Sequence, residues 1–429
     1  MNISLPGDVA YILNKLHEHG FAGYIVGGCV RDSLLNKVPH DWDITTNAQP
    51  DQVKQLFAKT IATGIKHGTV TAVINGKQYD ITTYRHAGNG TGVRRSDNTT
   101  SLKEDLSRRD FTINAMAYQQ QTGLVDYFNG VSDLRCAVIN AVGDPEQRFQ
   151  EDALRMMRAI RLACQLGFTV GTSTLTAITR NHQLLRHISA ERIRNELCRI
   201  MLSKQPARGI ELLHSTLLLS MILPELTACA DFDHVLAVLD AAPKGLTVRL
   251  AALLHGIGKP ISKKENKSGD LSRYHLERAD IVRDILRRLK FAKQTVDSVC
   301  ILVREQLNRF DFPNKANIKR LINRVGLGNL QSFFELQIAE IKASQPPHHF
   351  SALNALSEQV CKIIKEKQPL TVKDLAVNGD DLITIGIQPG VQMGQILNSL
   401  LEKVLEEPEM NTKENLLNII TTEQGENNI

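Results

Sequence analysis

Asp41-Trp42-Asp43 sets two carboxylates on one face of any β-strand that carries them, because strand side chains alternate with period two. Carboxylates that close repel each other unless a cation lies between them. Mg²⁺ suits such a pair, since it prefers hard oxygen ligands and keeps room for phosphate oxygens. A solvated turn or a helix cap would use the same residues. The neighbours narrow the choice. Gly27-Gly28-Cys29-Val30-Arg31-Asp32 follows the apolar run 24–26 and precedes a helical stretch expected over 32–36. Two glycines let backbone N–H groups approach a phosphate, a helix N-terminus favours anions, and Arg31 adds a fixed cation. Apolar strand, glycine turn, arginine and then paired carboxylates form a coherent site for a triphosphate and its metal.

The elements that must hold this site are mixed at first and then uniform. Runs 69–74 and 78–84 read as strands, and Asn75-Gly76 between them is a type I′ hairpin signal. Residues 85–98 are Gly-rich and charged and read as a mobile loop. Past residue 146 strand signals fade and helical periodicity takes over, interrupted at Gln345-Pro346-Pro347-His348, which reads as a joint. In 151–168, Ala153, Met156, Met157, Ile160 and Ala163 fall on one helical stripe. Glu151, Arg155 and Arg158 lie opposite, as on an amphipathic surface helix. The fold class is therefore α+β, a mixed head followed by a helical remainder.

Composition excludes several classes. The 429 residues are 42% hydrophobic, enough for a real core across two to four domains, and wholesale disorder is ruled out. No apolar run approaches the roughly 20 residues that span a bilayer. Residues 1–10 lack the basic start and apolar centre of a signal peptide. Seven cysteines without a CxxC pair make neither a disulfide framework nor a zinc cluster, so a cytoplasmic, reducing location is expected. Charge is unevenly spread. Residues 257–293 hold 11 basic and 5 acidic side chains, whereas 402–429 hold 2 and 7. The basic stretch is either a polyanion-binding face or a solvated helix face.

Five segments in order, GGCVRD (27–32), PHDWDITTNAQP (39–50), RRDFTINA (108–115), EDALRMMRAIR (151–161) and ERIRNEL (191–197), carry a resemblance. The chain resembles the class II tRNA nucleotidyltransferase and bacterial poly(A) polymerase family, within the polymerase-β-like nucleotidyltransferase superfamily. The resemblance implies a polymerase-β-like head (1–145), nucleotide-selecting neck helices (146–205), a helical body (206–345) and a tRNA-contacting helical tail (346–429). It implies that Gly28 and Arg31 hold the triphosphate and that Asp41 and Asp43 bind catalytic Mg²⁺. Asp80 is either a third carboxylate or a solvated strand residue. Arg109 and Asp110 fall on the ribose-contacting motif, with Asn114 in support, although Asp110 would equally cap a helix over 111–118. Asp152 and Arg155 fall on the pair that presents hydrogen-bond edges to the incoming base, with Arg158 and Arg161 as further nucleotide contacts.

The implied activity is template-independent addition of C, C and A to the 3′ end of tRNA from CTP and ATP, releasing pyrophosphate. An A-adding enzyme beside a CC-adding partner, or a poly(A) polymerase, is the alternative. A loop at 85–98 of full length disfavours a CC-only enzyme. Leu250 to Pro260 resembles an HD phosphohydrolase signature, but Gly256 stands where a ligating Asp is needed, and His275 does not replace it. A metal phosphohydrolase and a non-catalytic RNA-binding protein are the rivals from other classes. The first is disfavoured by Gly256, the second by the presence of Gly28, Arg31, Asp41 and Asp43.

Overall fold

The computed structural model describes residues 2–64, 68–84, 101–229, 231–257, 271–306 and 314–426, with the backbone alone for 62–64, 271–276 and 423–426. The loop 85–98, residues 258–270 and the side chain of His275 lie outside the described residues. The chain divides into two compact units, Met1–Ile222 and Leu223–Ile429. The segment 206–345 expected as a body therefore begins inside the first unit.

A seven-stranded mixed sheet forms the head. Its strands are β1 (Gly23–Val26), β2 (Asp43–Thr46), β3 (Thr60–Gly64), β4 (Thr69–Ile74), β5 (Lys77–Thr83), β6 (Met116–Gln119) and β7 (Gly123–Asp126). Their order is β3-β4-β5-β2-β1-β6-β7. Only β2 and β5 run parallel, in the register Ile44 to Ile81, which sets Asp43 beside Asp80. The β4–β5 hairpin turns at Asn75 (φ 49°) and Gly76 (φ 78°), the two left-handed residues that a type I′ turn requires.

Local chemistry explains how the site elements start and stop. Helix α1 (Gly7–Glu18) buries Val9, Ile12, Leu13 and Leu16 and lies against β1. Helix α2 (Gly28–Leu34) begins at Gly28 rather than at residue 32, so Arg31 lies within it. Gly27 takes φ 78° and ψ −132°, a conformation open to glycine, and this lets the chain pass from β1 straight into the helix. Because β1 ends there, its last pairing is Val26 with Asp43. Asp41 and Trp42 have no strand partner and precede β2, so Asp41 does not share a strand face with Asp43. Helix α3 (Pro50–Leu56) follows β2.

Helix α4 (Leu102–Ser107) opens with a reciprocal cap. Ser101 Oγ accepts the Glu104 N–H while Glu104 accepts the Ser101 N–H. Its Leu106 packs on Val26 and Ala117 of the sheet. The helix expected over 111–118 does not form. A 3₁₀ turn at Thr112–Asn114 leads directly into β6.

Helix α5 (Gly130–Arg135) precedes α6 (Pro145–Glu151), which Asp144 caps, and α6 stops where Asp152 turns extended at φ −152°. Helix α7 (Leu154–Leu166) then starts afresh, its Leu154 N–H donating to Asp152 Oδ1. The single helix expected from residue 151 is therefore two, broken at the residue expected to read the base. The predicted stripe of Ala153, Met156, Met157, Ile160 and Ala163 is buried throughout. Helices α8 (Thr172–Asn181) and α9 (Ala190–Met201) follow, and α9 packs on α7.

The second unit is helical throughout its described residues. Helices Phe232–Ala241, Leu246–Leu254, Lys293–Arg304 and Leu330–Ala343 form one packed group. A separate cluster of Val377, Leu382, Leu400, Val404, Leu416 and Ile420 gathers the C-terminal segment. The proline joint separates Leu330–Ala343 from Ser351–Lys365. Among the described residues no helix is long and apolar enough to cross a membrane.

Candidate active site

One cavity of about 420 Å³ in the first unit collects most of the residues singled out above. Strands supply Asp43 and Asp80, α4 and the segment after it supply Asp105, Arg108, Arg109 and Asp110, and the helical side supplies Asp152, Arg155, Arg158 and Arg192. Carboxylates thus stand on the central strand pair β2–β5 and guanidinium groups line the cavity from the helices.

The β2–β5 register gives the carboxylate pair. Asp80 Oδ1 accepts the Thr71 hydroxyl at 2.6 Å, which orients the group on β5 next to Asp43. Two adjacent hard-oxygen donors at the cavity wall fit a divalent cation that also binds phosphate. Asp41 is exposed and is not among the cavity-lining residues. Cys29 lies 4.0 Å from the Asp43 carbonyl oxygen. Burial, with Asp43 adding to it, pushes its thiol up to about 11, so it is a neutral core group rather than a nucleophile.

A chain of polar contacts ties the glycine turn to α7. Arg31 Nη1 donates to Asn114 Oδ1 at 2.7 Å, and Asn114 Nδ2 donates to Asp110 Oδ1 at 3.0 Å. This fixes the amide orientation, because Arg31 only donates and the carboxylate only accepts. Arg158 Nε donates to Asp110 Oδ2 at 2.8 Å, Nη2 donates to the same oxygen, and the Phe111 N–H donates to Oδ1 at 2.9 Å.

Burial alone would raise the Asp110 carboxyl, but Arg158 and these hydrogen bonds hold it below the usual carboxylate range. Its four donors fill the acceptor capacity of a carboxylate, so a ribose hydroxyl must displace one of them. Arg109 contacts Asp105 at 3.5 Å, and a Cβ added at Gly27 would meet Arg109 Nη1 at 2.9 Å. The bare glycine is what lets Arg109 lie against the turn. At Gly28, Arg31 Nη2 occupies the corresponding space at 3.5 Å.

On the helical side Asp152 pairs with Arg192, Nη2 to Oδ2 at 2.8 Å, and not with Arg155. Arg155 is held by Glu151 at 2.9 Å and by the carbonyl oxygens of Arg148 and Arg108. Arg192 was not singled out from the sequence. It sits in the ERIRNEL segment, where nothing distinguishes Arg192 from Arg194. Arg161 departs furthest from expectation. It is an inward ion pair with Glu196 at 2.8 Å, N–H and oxygen in contact but poorly aligned, and it is not among the cavity-lining residues. Burial pulls its guanidinium down to about 10 against the raising effect of Glu196. The pair joins α7 to α9.

In the second unit, a Cβ at Gly256 would meet Val235 Cγ2 at 2.6 Å and Cys229 Sγ at 3.1 Å. An aspartate there would require Val235 and Cys229 to shift, and Gly256 itself offers no carboxylate of the HD type.

Comparison with known proteins agrees with this architecture. The Poly A polymerase head domain matches residues 23–140, the "Probable RNA and SrmB- binding site of polymerase A" matches 167–229, and the "tRNA nucleotidyltransferase domain 2 putative" matches 273–420. The CCA-adding enzyme of Levilactobacillus brevis is 35% identical over 96% of this chain and 96% of its own. That of Lactobacillus delbrueckii subsp. bulgaricus is 37% identical over 92% of each. The CCA-adding enzyme of Bacillus stearothermophilus, solved in complex with CTP, is similar with a TM-score of 0.74 at 32% identity, covering 98% of both chains. The mixed-sheet head that matches the Poly A polymerase head domain, together with these relatives, makes the chain a nucleotidyltransferase. The chain belongs to the CCA-adding enzymes, a family of tRNA nucleotidyltransferases.

Proposed function

We propose that this protein adds C, C and A in turn to the 3′ end of tRNA, using CTP and ATP with Mg²⁺ and releasing pyrophosphate. The observation that carries the reading is the single cavity shared by Asp43 and Asp80 on one side and Asp152, Arg155, Arg158 and Arg192 on the other. Asp43 and Asp80, with Asp41 at the strand entrance, would hold Mg²⁺. When bound, the ion activates the 3′-hydroxyl and neutralises charge on the departing pyrophosphate. Gly28, Arg31 and Arg109 take the triphosphate, and the bare Gly27 lets the Arg109 guanidinium lie against that turn.

Asp110 fixes Arg158 toward the cavity and accepts a ribose 2′-hydroxyl by exchanging one of its present donors. Asp152 and Arg155 offer an acceptor and donors to the base edge. Arg192 competes with the base for Asp152 Oδ2, so base reading requires that ion pair to open. Arg161 acts indirectly, holding α7 on α9. In this scheme residues 1–145 supply the chemistry and 146–205 the base selection. Residues 206–345 and 346–429 grip tRNA by shape and phosphate contacts in the cytoplasm, with the basic stretch 257–293 foremost. Asp43→Ala should abolish incorporation of labelled nucleotide while tRNA retention on a filter stays unchanged. Full activity in that variant would overturn the metal assignment.

A further inference from the structure

Three side chains in the second unit converge outside the catalytic cavity. His234 comes from helix Phe232–Ala241, His255 immediately follows helix Leu246–Leu254, and Glu340 comes from helix Leu330–Ala343. One ligand atom from each lies within 4.8 Å of the others. Glu340 divides its oxygens between the rings, Oε1 to His234 Nε2 at 3.0 Å and Oε2 to His255 Nε2 at 3.4 Å. The rings meet edge to face at 5.6 Å.

The protonation pattern decides what the cluster can hold. His255 Nδ1 lies 2.7 Å from the Ala252 carbonyl oxygen, which only accepts, so Nδ1 carries a proton. In a neutral ring Nε2 then presents a lone pair, and it faces a carboxylate oxygen. A metal ion or an imidazolium proton between two such acceptors would draw them together. The 3.4 Å separation is long for an imidazolium–carboxylate hydrogen bond, which runs to about 2.7–2.9 Å. Two ligands on one tetrahedral Zn²⁺, each about 2.0–2.1 Å from the ion, stand about 3.3 Å apart. A carbonyl oxygen holding the far nitrogen of a ligating histidine is also the usual outer support of a metal site.

We propose that His234, His255 and Glu340 bind a transition-metal ion of the Zn²⁺ class. The site clamps three helices whose ligands lie up to 106 residues apart. Two imidazoles and one carboxylate favour zinc over Mg²⁺, which wants oxygen ligands, and a water completes the coordination. Glu340 supplies the carboxylate that Gly256 cannot. The site is independent of nucleotide addition, so its failure would leave the catalytic reading untouched.

The test uses the full chain, purified without added metal and then exposed to one equivalent of Zn²⁺ or Co²⁺. The expected result is near-stoichiometric zinc retained through gel filtration, and visible Co²⁺ bands of a four-coordinate, nitrogen-containing site. His234→Gln and Glu340→Gln, each checked by circular dichroism, should weaken binding by more than about 100-fold, since even outer-support changes cost about 10–100-fold. Asp43→Asn should keep the bands, and all these forms should bind tRNA normally. A chelator should lower the melting temperature of the parent protein but not of His234→Gln. Absent Co²⁺ bands in the parent protein, or equal zinc retention in the two variants, would overturn the proposal and leave a protonated His–Glu–His bridge.

Discussion

Removing Arg158 tests whether the Asp110 contacts hold the cavity wall together. Asp110 is 8% exposed, and Arg158→Ala would strand its carboxylate with only Asn114 and the Phe111 N–H as donors. Breaking a buried pair on one side costs about 3–5 kcal/mol, but Arg158 is 37% exposed and water screens part of that, so the expected loss is about 2–3 kcal/mol. Trp42 is the chain's single tryptophan and lies in the first unit, so its fluorescence during urea unfolding reports on that unit alone.

The pH dependence gives a second handle on the same pair. In the parent protein the Asp110 carboxyl is depressed. Its contribution is fully present above the unfolded value of about 3.9 and is lost only as pH falls through the lower folded value. Stability should therefore be insensitive to this group between pH 7 and pH 5. Without Arg158, burial dominates and raises the folded carboxyl above its unfolded value. Protonation then favours the folded state, so the variant's deficit should shrink as pH falls from 7 to 5. Asp110→Asn combined with Arg158→Ala should recover part of the loss. A deficit below about 0.5 kcal/mol, the scale of an ordinary surface change, or one that ignores pH, would refute this account of the pair.

Asp80→Asn should lower incorporation by at least about 100-fold, the scale of removing one charge-stabilising group, without changing tRNA affinity; a smaller drop makes Asp80 a strand residue only. Asp152→Ala should blur the choice between CTP and ATP in a competition assay. Arg161→Ala should instead lower first-unit stability and leave that choice intact, and the reverse pattern would contradict the placement of Arg161 on Glu196. Reversing Arg283, Arg287, Lys290 and Lys293 together should weaken tRNA binding and flatten its salt dependence by up to about 0.7–0.9 for each phosphate no longer neutralised. Unchanged binding returns that stretch to a solvated helix face.

Much of the head was legible because its signals are local. Asn75-Gly76 announces the hairpin through the two positive φ angles that it alone supplies cheaply, and the apolar run before Gly27 announces β1. The five ordered segments carried the family. What was not legible depends on pairing and packing. Whether Asp41 belongs to β2 is decided by where β1 stops, and the Gly27 turn stops it at Val26. The break at Asp152 is hidden because periodicity continues on both sides of one extended residue.

Side-chain partners were harder still. Arg161 and Arg192 look alike in sequence, yet one turns inward onto Glu196 and the other lines the cavity with Asp152. Asp80 belongs to no motif with Asp43, and only the parallel β2–β5 register sets the two side by side. His255 read as the remnant of a vanished site, because its partners His234 and Glu340 are distant in the chain and share no motif with it.

The most direct measurement supplies purified protein and Mg²⁺ with CTP and ATP, separately and together, on tRNAs ending at the discriminator base, at C and at CC. The account predicts that all three are extended to CCA, with CTP alone stopping at CC and ATP alone extending only the CC-ended tRNA. Extension of the CC-ended tRNA alone, even with both nucleotides present, or no incorporation at all, would contradict it.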